Sequence, residues 1–219
     1  MFNTEIIIKS LPLLLHASIW TVVYSLTSVA IGFCIGTLMC AAGLSSSRVG
    51  RGISTFYVSF FRGVPLLVQL LISYYCLPLI GINVPSSVAA VGTLALCTGA
   101  YIAEILRGGF LGIPAGLVEA ARMVGLSRAQ IITRIEVPLA VRFTLPSLIN
   151  ETTMMVKASS LISVVGVLEL TRLAQNIATS TFQPLEIYLT AGAIYFAING
   201  VITMLGSLVE SRFQLEKAR

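Results

Sequence analysis

The chain has 219 residues, 56% of them hydrophobic and 11% charged, with a net charge of +5 and a mean hydropathy of +0.93. A soluble domain carries roughly 25% charged residues, so the composition excludes a water-soluble globular protein and indicates a single all-α integral membrane domain. Continuous apolar runs exclude alternating barrel strands, and the basic balance reads as loop charge on the cytoplasmic side, not as a nucleic-acid surface.

No Asp, Glu, Lys or Arg occurs from Ser10 to Ser47, and one span is expected at 13–44. Glu5 and Lys9 precede this run without a small-residue cleavage site soon after it, so it reads as a retained span, not a signal peptide. Gly32 and Gly36 have the GxxxG spacing that suits close helix packing in lipid. A second charge-free run, Gly63 to Ala103, is about twice the ~20 residues that one span needs. It divides at LPLIGINVPSS, where Pro78, Gly81, Asn83 and Pro85 signal a turn. Spans are therefore expected at 60–79 and 86–106. Glu104 and Arg107, three apart near the end of the latter, suit an i,i+3 ion pair.

A charged stretch follows, EAARMVGLSRAQIITRIEVP. Pro114 suits the first turn of a helix that is expected to run through Glu119, Ala120 and Ala121 and to weaken at Gly125. Ser127 with Gln130 makes a capping box, which opens a second short helix expected to end before Pro138. A fourth span, 138–168, holds Glu151 and Lys157 within it and Pro146 as a bend. A fifth occupies 187–209, where Gly192, Gly200 and Gly206 read as packing positions. Cys34, Cys40, Cys76 and Cys97 lie in apolar runs without metal-ligand spacing and are expected to be buried thiols.

Five spans put the termini on opposite sides. With the N-terminus outside, the inner segments hold Arg48, Arg51, Arg62, Arg107, Arg122, Arg128, Arg134, Arg142, Arg212, Lys217 and Arg219, against Lys9 and Arg172 outside. That asymmetry places the C-terminus and the segment 114–137 in the cytoplasm. Phosphate cradling by GxxxxGK[ST] is excluded, because none of Lys9, Lys157 and Lys217 follows a glycine. An intramembrane serine protease is excluded too: there is no GxSG, and His16 is the sole histidine. No catalytic residue, metal or cofactor is expected.

Ionisable groups inside a span mark a functional site by default. Glu151 stands ~13 Å along the helix axis from Arg142, close to mid-membrane, and Lys157 ~9 Å further on and ~120° around it. The two cannot readily neutralise each other, and each calls for another partner.

EAA followed by a glycine four residues on and then an apolar stretch and a proline resembles the signature loop of ABC importer permeases. Here it is Glu119-Ala120-Ala121, Gly125, Ile135 and Pro138, with Val137 in place of the usual Leu. FFRGVPLLVQL, AYIAEILRGGFLGIPAG and KASSLISVVGVLEL look like the polar amino-acid subfamily, with Leu117 and Ala158-Ser159 as departures. The blocks cover about 19–210. The resemblance implies a type I importer permease fold in the bacterial inner membrane, with 114–137 as a coupling segment that seats in a cytoplasmic ATPase through Glu119, Ala120, Ala121 and Gly125. It also implies an ATPase dimer, a second permease chain and an extracytoplasmic solute-binding protein as partners. By the span count Glu169, Arg172 and Glu186 lie on the outward side and are expected to meet the latter. An amino-acid zwitterion answers both intramembrane charges, its carboxylate to Lys157 and its ammonium to Glu151, with Gln69, Thr98, Tyr101, Asn150 and Ser159 as further polar contacts. An opine or another small amine is the alternative cargo. A secondary transporter is the distant one, since it too uses midplane charges but has no need of the loop.

Overall fold

The computed structural model describes residues 4–215, and no strand occurs among them. Lys217 and Arg219, counted above with the inner basic residues, lie outside the described residues. Three helices are each long and apolar enough to cross a bilayer, and five crossings result if each of two bent pairs is one span.

Helix α1, Thr4–Leu44, buries a seam of mostly small residues three or four apart, from Ser10 through Thr21, Ser28, Gly32 and Gly36 to Cys40. It begins a little over two turns before the expected span, with Glu5 and Lys9 paired at 2.6 Å on its first turns. Its main partner is α4, Ser86–Leu111. A Cβ on Gly32 would stand 2.9 Å from Thr98 Cβ, and one on Gly36 would stand 2.8 Å from the Gly99 carbonyl oxygen. Only hydrogens fit there, so the GxxxG pair sets the α1–α4 approach. On the last helix, Gly206 likewise faces Ile149, whereas Gly192 and Gly200 face open space and are not packing positions within this chain.

The second expected span is not one helix. Helix α2, Arg48–Gly63, and α3, Leu66–Cys76, meet at about a right angle, 101°. Pro65 disfavours helical backbone at the residue before it. Val64 and Pro65 are accordingly extended, with ψ of 133° and 135°. The anticipated turn follows as a 3-10 turn at Pro78–Ile80 closed by Gly81 at φ +83°.

Helix α5 spans Ala115–Met123. It ends where Gly125 adopts φ +83°, its N–H donating to Arg122 O and that of Leu126 to Ala121 O, the paired bonds of a Schellman stop. The capping box opens α6, Arg128–Ile131, as expected. The helix does not end before Pro138, however. It passes through a π turn, Ile132–Glu136, into α7, Val137–Ala158. Wider winding lets Val137 donate to Ile132 O and accommodates Pro138, which has no N–H to give.

The fourth span also stops short. Helix α7 gives way to a 3-10 segment, Ser159–Val165, then Gly166 at φ +79°, then α8, Leu170–Thr181. Helix α9, Pro184–Leu215, closes the fold and packs on α7, α8 and α1. Among the cysteines Cys40 and Cys97 are buried, as expected, but Cys34 and Cys76 are exposed on this chain.

Gly36→Leu is expected to force α1 off α4 at a cost of about 1–3 kcal/mol. Thermal unfolding of the purified protein checks this: its midpoint falls for Gly36→Leu and holds for Gly192→Leu.

Candidate functional site

A cluster of charged and aromatic side chains gathers around α4. Tyr101 and Glu104 share one of its faces, a turn apart. Glu104 takes a bidentate pair from Arg107, at 2.7 and 2.8 Å. Across the gap the last turn of α2 brings Arg62 to 3.6 Å from Glu104, with its guanidinium 5.3 Å from the centre of the Tyr101 ring. Helix α7 supplies Glu151, which is buried, has an Oε1 without a hydrogen-bond partner, and lies within electrostatic reach of Arg62, Tyr101 and Cys97. A buried acceptor left unpaired costs roughly 1–3 kcal/mol, more when charged, so Glu151 is poised for a cationic donor.

Tyr101 and Glu151 are thus brought together as expected. Lys157 is not: it lines a cavity of about 630 Å³ with Tyr195, Asn199, Thr203 and Ser207 of α9. No ion pair to it occurs among the described residues. Asn150 is exposed. Thr98 and Ser159 are fully buried and hydrogen-bond backward to Leu94 O and Val156 O. Gln69 Nε2 donates to Phe61 O and Val64 O at 2.9 and 2.8 Å, tying down carbonyls at the α2–α3 bend. These hydrogen bonds are the work of Thr98, Ser159 and Gln69 within the fold.

The charged stretch forms the tip of α5 and α6. Glu119, Ala120 and Gly125 are exposed there, whereas Ala121 is only 5% exposed and turns inward. Met123 and Val124, 89% and 76% exposed, complete an apolar tip of the kind that marks a docking surface. Sequence reasoning missed both because neither departs from the apolar character of the chain. It missed Arg62 as a site residue as well. The signal was a lone cation at the border of a charge-free run, beside Gly-Val-Pro.

Glu169 corrects an expectation. It is 0% exposed and cannot meet a partner protein. Its carboxylate accepts from the N–H groups of Thr171 and Arg172, capping α8, and from the hydroxyls of Thr21 and Tyr195. A helix N-terminus favours a carboxylate, and here that cap is also what joins α8 to α1 and α9.

Long apolar helices, a bundle centred on α4 and a tip-bearing α5–α6 excursion define a membrane translocation subunit. Residues 30–215 match the family of binding-protein-dependent transport system inner membrane components, and the chain belongs to that family. The octopine transport system permease protein OccM of Rhizobium meliloti is 40% identical over 190 residues, 80% of this chain and 77% of that protein. The glutamine transport system permease protein GlnP of Escherichia coli (strain K12) is 34% identical over 216 residues, 98% of this chain and 99% of that one. A crystal structure of an amino acid ABC transporter with histidines superposes with a TM-score of 0.92 at 35% identity, covering 97% of this chain and 99% of that one.

Gln69→Met is expected to strip Phe61 O and Val64 O of their donor and to destabilise the chain by about 1–3 kcal/mol. A lowered thermal midpoint with unchanged affinity for the transported substrate is the expected result.

Proposed function

We propose that this chain is the permease subunit of an ATP-driven importer that carries a polar amino acid or an opine across a bacterial inner membrane. The observation that carries the reading is Glu151, a buried mid-span carboxylate with an unpartnered oxygen, in a chain whose relatives include octopine and glutamine permeases. Glu151 receives the cationic group of the cargo, and Lys157, from its own cavity, receives a carboxylate. Because Glu151 is not among the residues that line the Lys157 cavity, the two charges suit a cargo whose cationic group is well separated from a carboxylate, or one handed from one site to the other. The identity to the octopine permease favours an opine as the second reading.

Two permease chains, identical or paralogous, enclose the path. ATP is hydrolysed by a cytoplasmic ATPase dimer, since this chain has no phosphate-cradling loop. An extracytoplasmic solute-binding protein delivers the cargo. The N-terminus lies outside and the C-terminus in the cytoplasm, a reading supported by the distribution of basic residues. The α5–α6 tip is the coupling element: exposed Glu119 and Ala120 with Met123 and Val124 present its surface, and the Gly125 stop sets the angle between its two helices.

Topology is checked by single cysteines. Ser127→Cys is expected to react with an impermeant thiol reagent only after the cytoplasmic side is opened, and Asn83→Cys from outside in intact cells; the reverse pattern overturns the orientation. Gly125→Pro cannot hold φ +83°, since proline is confined near −65°. It is expected to leave the complex assembled while abolishing substrate-stimulated ATPase activity, and full stimulation would remove the coupling role. Glu151→Gln and Lys157→Met are each expected to cut uptake into proteoliposomes by more than roughly tenfold; at the buried Glu151, removing one partner of a desolvated charge pair costs about 2–5 kcal/mol. Basal ATPase activity persists in both, and normal uptake by either variant assigns that residue to structure alone.

A further inference from the structure

Arg62 has no place in the roles assigned so far, yet it contacts one carboxylate, Glu104, and lies within electrostatic reach of a second, Glu151. Glu104 is already taken: both of its oxygens accept from Arg107, at 2.7 and 2.8 Å. The 3.6 Å contact from Arg62 to the same carboxylate is longer than a hydrogen bond. Charge and the face of the Tyr101 ring, 5.3 Å away, hold the guanidinium, so it is attracted to Glu104 without being locked onto it. On the other side, Glu151 offers a carboxylate oxygen with no donor, and Tyr101 lies within electrostatic reach of both residues.

The surroundings give the side chain room. Arg62 lines a cavity of about 410 Å³ with Arg51, Thr55, Ser59 and Arg107. Gly63, next to it, has nothing within 4 Å of its Cβ position, and helical backbone ends there. A long cation at a helix end, above an aromatic ring and beside an open cavity, is held loosely enough to reorient.

We propose that Arg62 is an internal counter-ion that competes with the cationic group of the cargo for Glu151, shifting between Glu104, where it rests in this conformation, and Glu151, from which its arrival displaces the cargo. While the cargo holds Glu151, Arg62 remains on Glu104. When the cargo leaves, Arg62 neutralises the carboxylate left behind. Arg107 sets the balance by occupying Glu104 and so keeping the hold on Arg62 loose. The proposal rests on Glu151 being the cargo's anionic contact and adds to it the group that governs release.

Competition predicts opposite signs for two substitutions at one ion pair. Arg62→Gln removes the competitor, so the cargo binds more tightly. Glu104→Gln removes the resting place, so Arg62 turns to Glu151 and the cargo binds more weakly. The measurement is equilibrium binding to the purified permease–ATPase complex in nanodiscs, without the solute-binding protein, whose own affinity masks the permease site. The probe is whichever of radiolabelled octopine, glutamine and histidine the complex transports. A shift of at least about fivefold in each direction is expected for charges a few ångströms apart at a partly screened site. Arg62→Lys keeps the charge and is expected to stay near the parent affinity. A salt bridge that only supports the fold moves both variants the same way, and that result, or unchanged affinity in either, overturns the proposal. Glu151→Gln measured in parallel separates the two ideas. If it leaves binding intact, the Glu151 site itself fails. If it abolishes binding while Arg62→Gln and Glu104→Gln shift together, only the exchange fails.

Discussion

Within a bilayer, a backbone N–H or C=O released from a helix finds no water, so each interruption of a span needs a partner from the protein itself. The breaks in this chain meet that demand in different ways. At the α2–α3 bend, one buried amide, Gln69, donates to two carbonyls. At Pro138 the helix is not broken at all but widened into a π turn, which keeps the ladder running past a residue with no N–H. At the start of α8, Glu169 caps two N–H groups and takes two hydroxyls from α1 and α9 in the same carboxylate. Outside the apolar spans, the α5–α6 corner uses the cheaper device of a glycine stop and a serine cap.

These closures decide where the charges stand. Helix α4 is uninterrupted, and α1 lies against it at backbone distance through Gly32 and Gly36. The right-angled turn after Gly63 ends α2 beside the middle of α4, which leaves Arg62 over Tyr101 and facing Glu104. Helix α7 then adds Glu151 to this group while carrying Lys157 to the α9 side. Of two charges six residues apart on one helix, only Lys157 lines the cavity against α9, and Arg62, which looks like loop charge, lies within electrostatic reach of the other, Glu151.

Much of this was legible residue by residue. The turn at Pro78 to Pro85, the Ser127–Gln130 box, the Glu104–Arg107 pair and the tight contact at Gly32 and Gly36 all arise from short-range rules, in which a spacing of three or four residues settles the geometry. The EAA-type pattern carried the family and, with it, the fold. Pro65 was available as a signal for the bend, but a charge-free run of the right length read as one straight helix. Pro138 misled in the opposite direction, since a proline read as a stop proved compatible with a continuous helix once the winding changed.

By itself the sequence determined that the chain is helical and membrane-embedded, which family it belongs to, and which few residues carry charge among the apolar runs. Composition and local spacing suffice for those, because lipid penalises polar groups one residue at a time. What only the tertiary structure decided is which polar groups are spent on the fold and which are left over. Gln69, Thr98 and Ser159 suggest cargo contacts and Glu169 a partner contact; each makes hydrogen bonds within the chain, and Gln69 keeps an unpaired Oε1. Glu151 retains an unpaired oxygen, and Arg62 keeps only a loose hold on Glu104. Thr98 and Ser159 are satisfied within their own turns, but whether Glu169 is satisfied and Glu151 is not depends on what separate helices bring within about 3 Å, and no spacing along one helix contains that information.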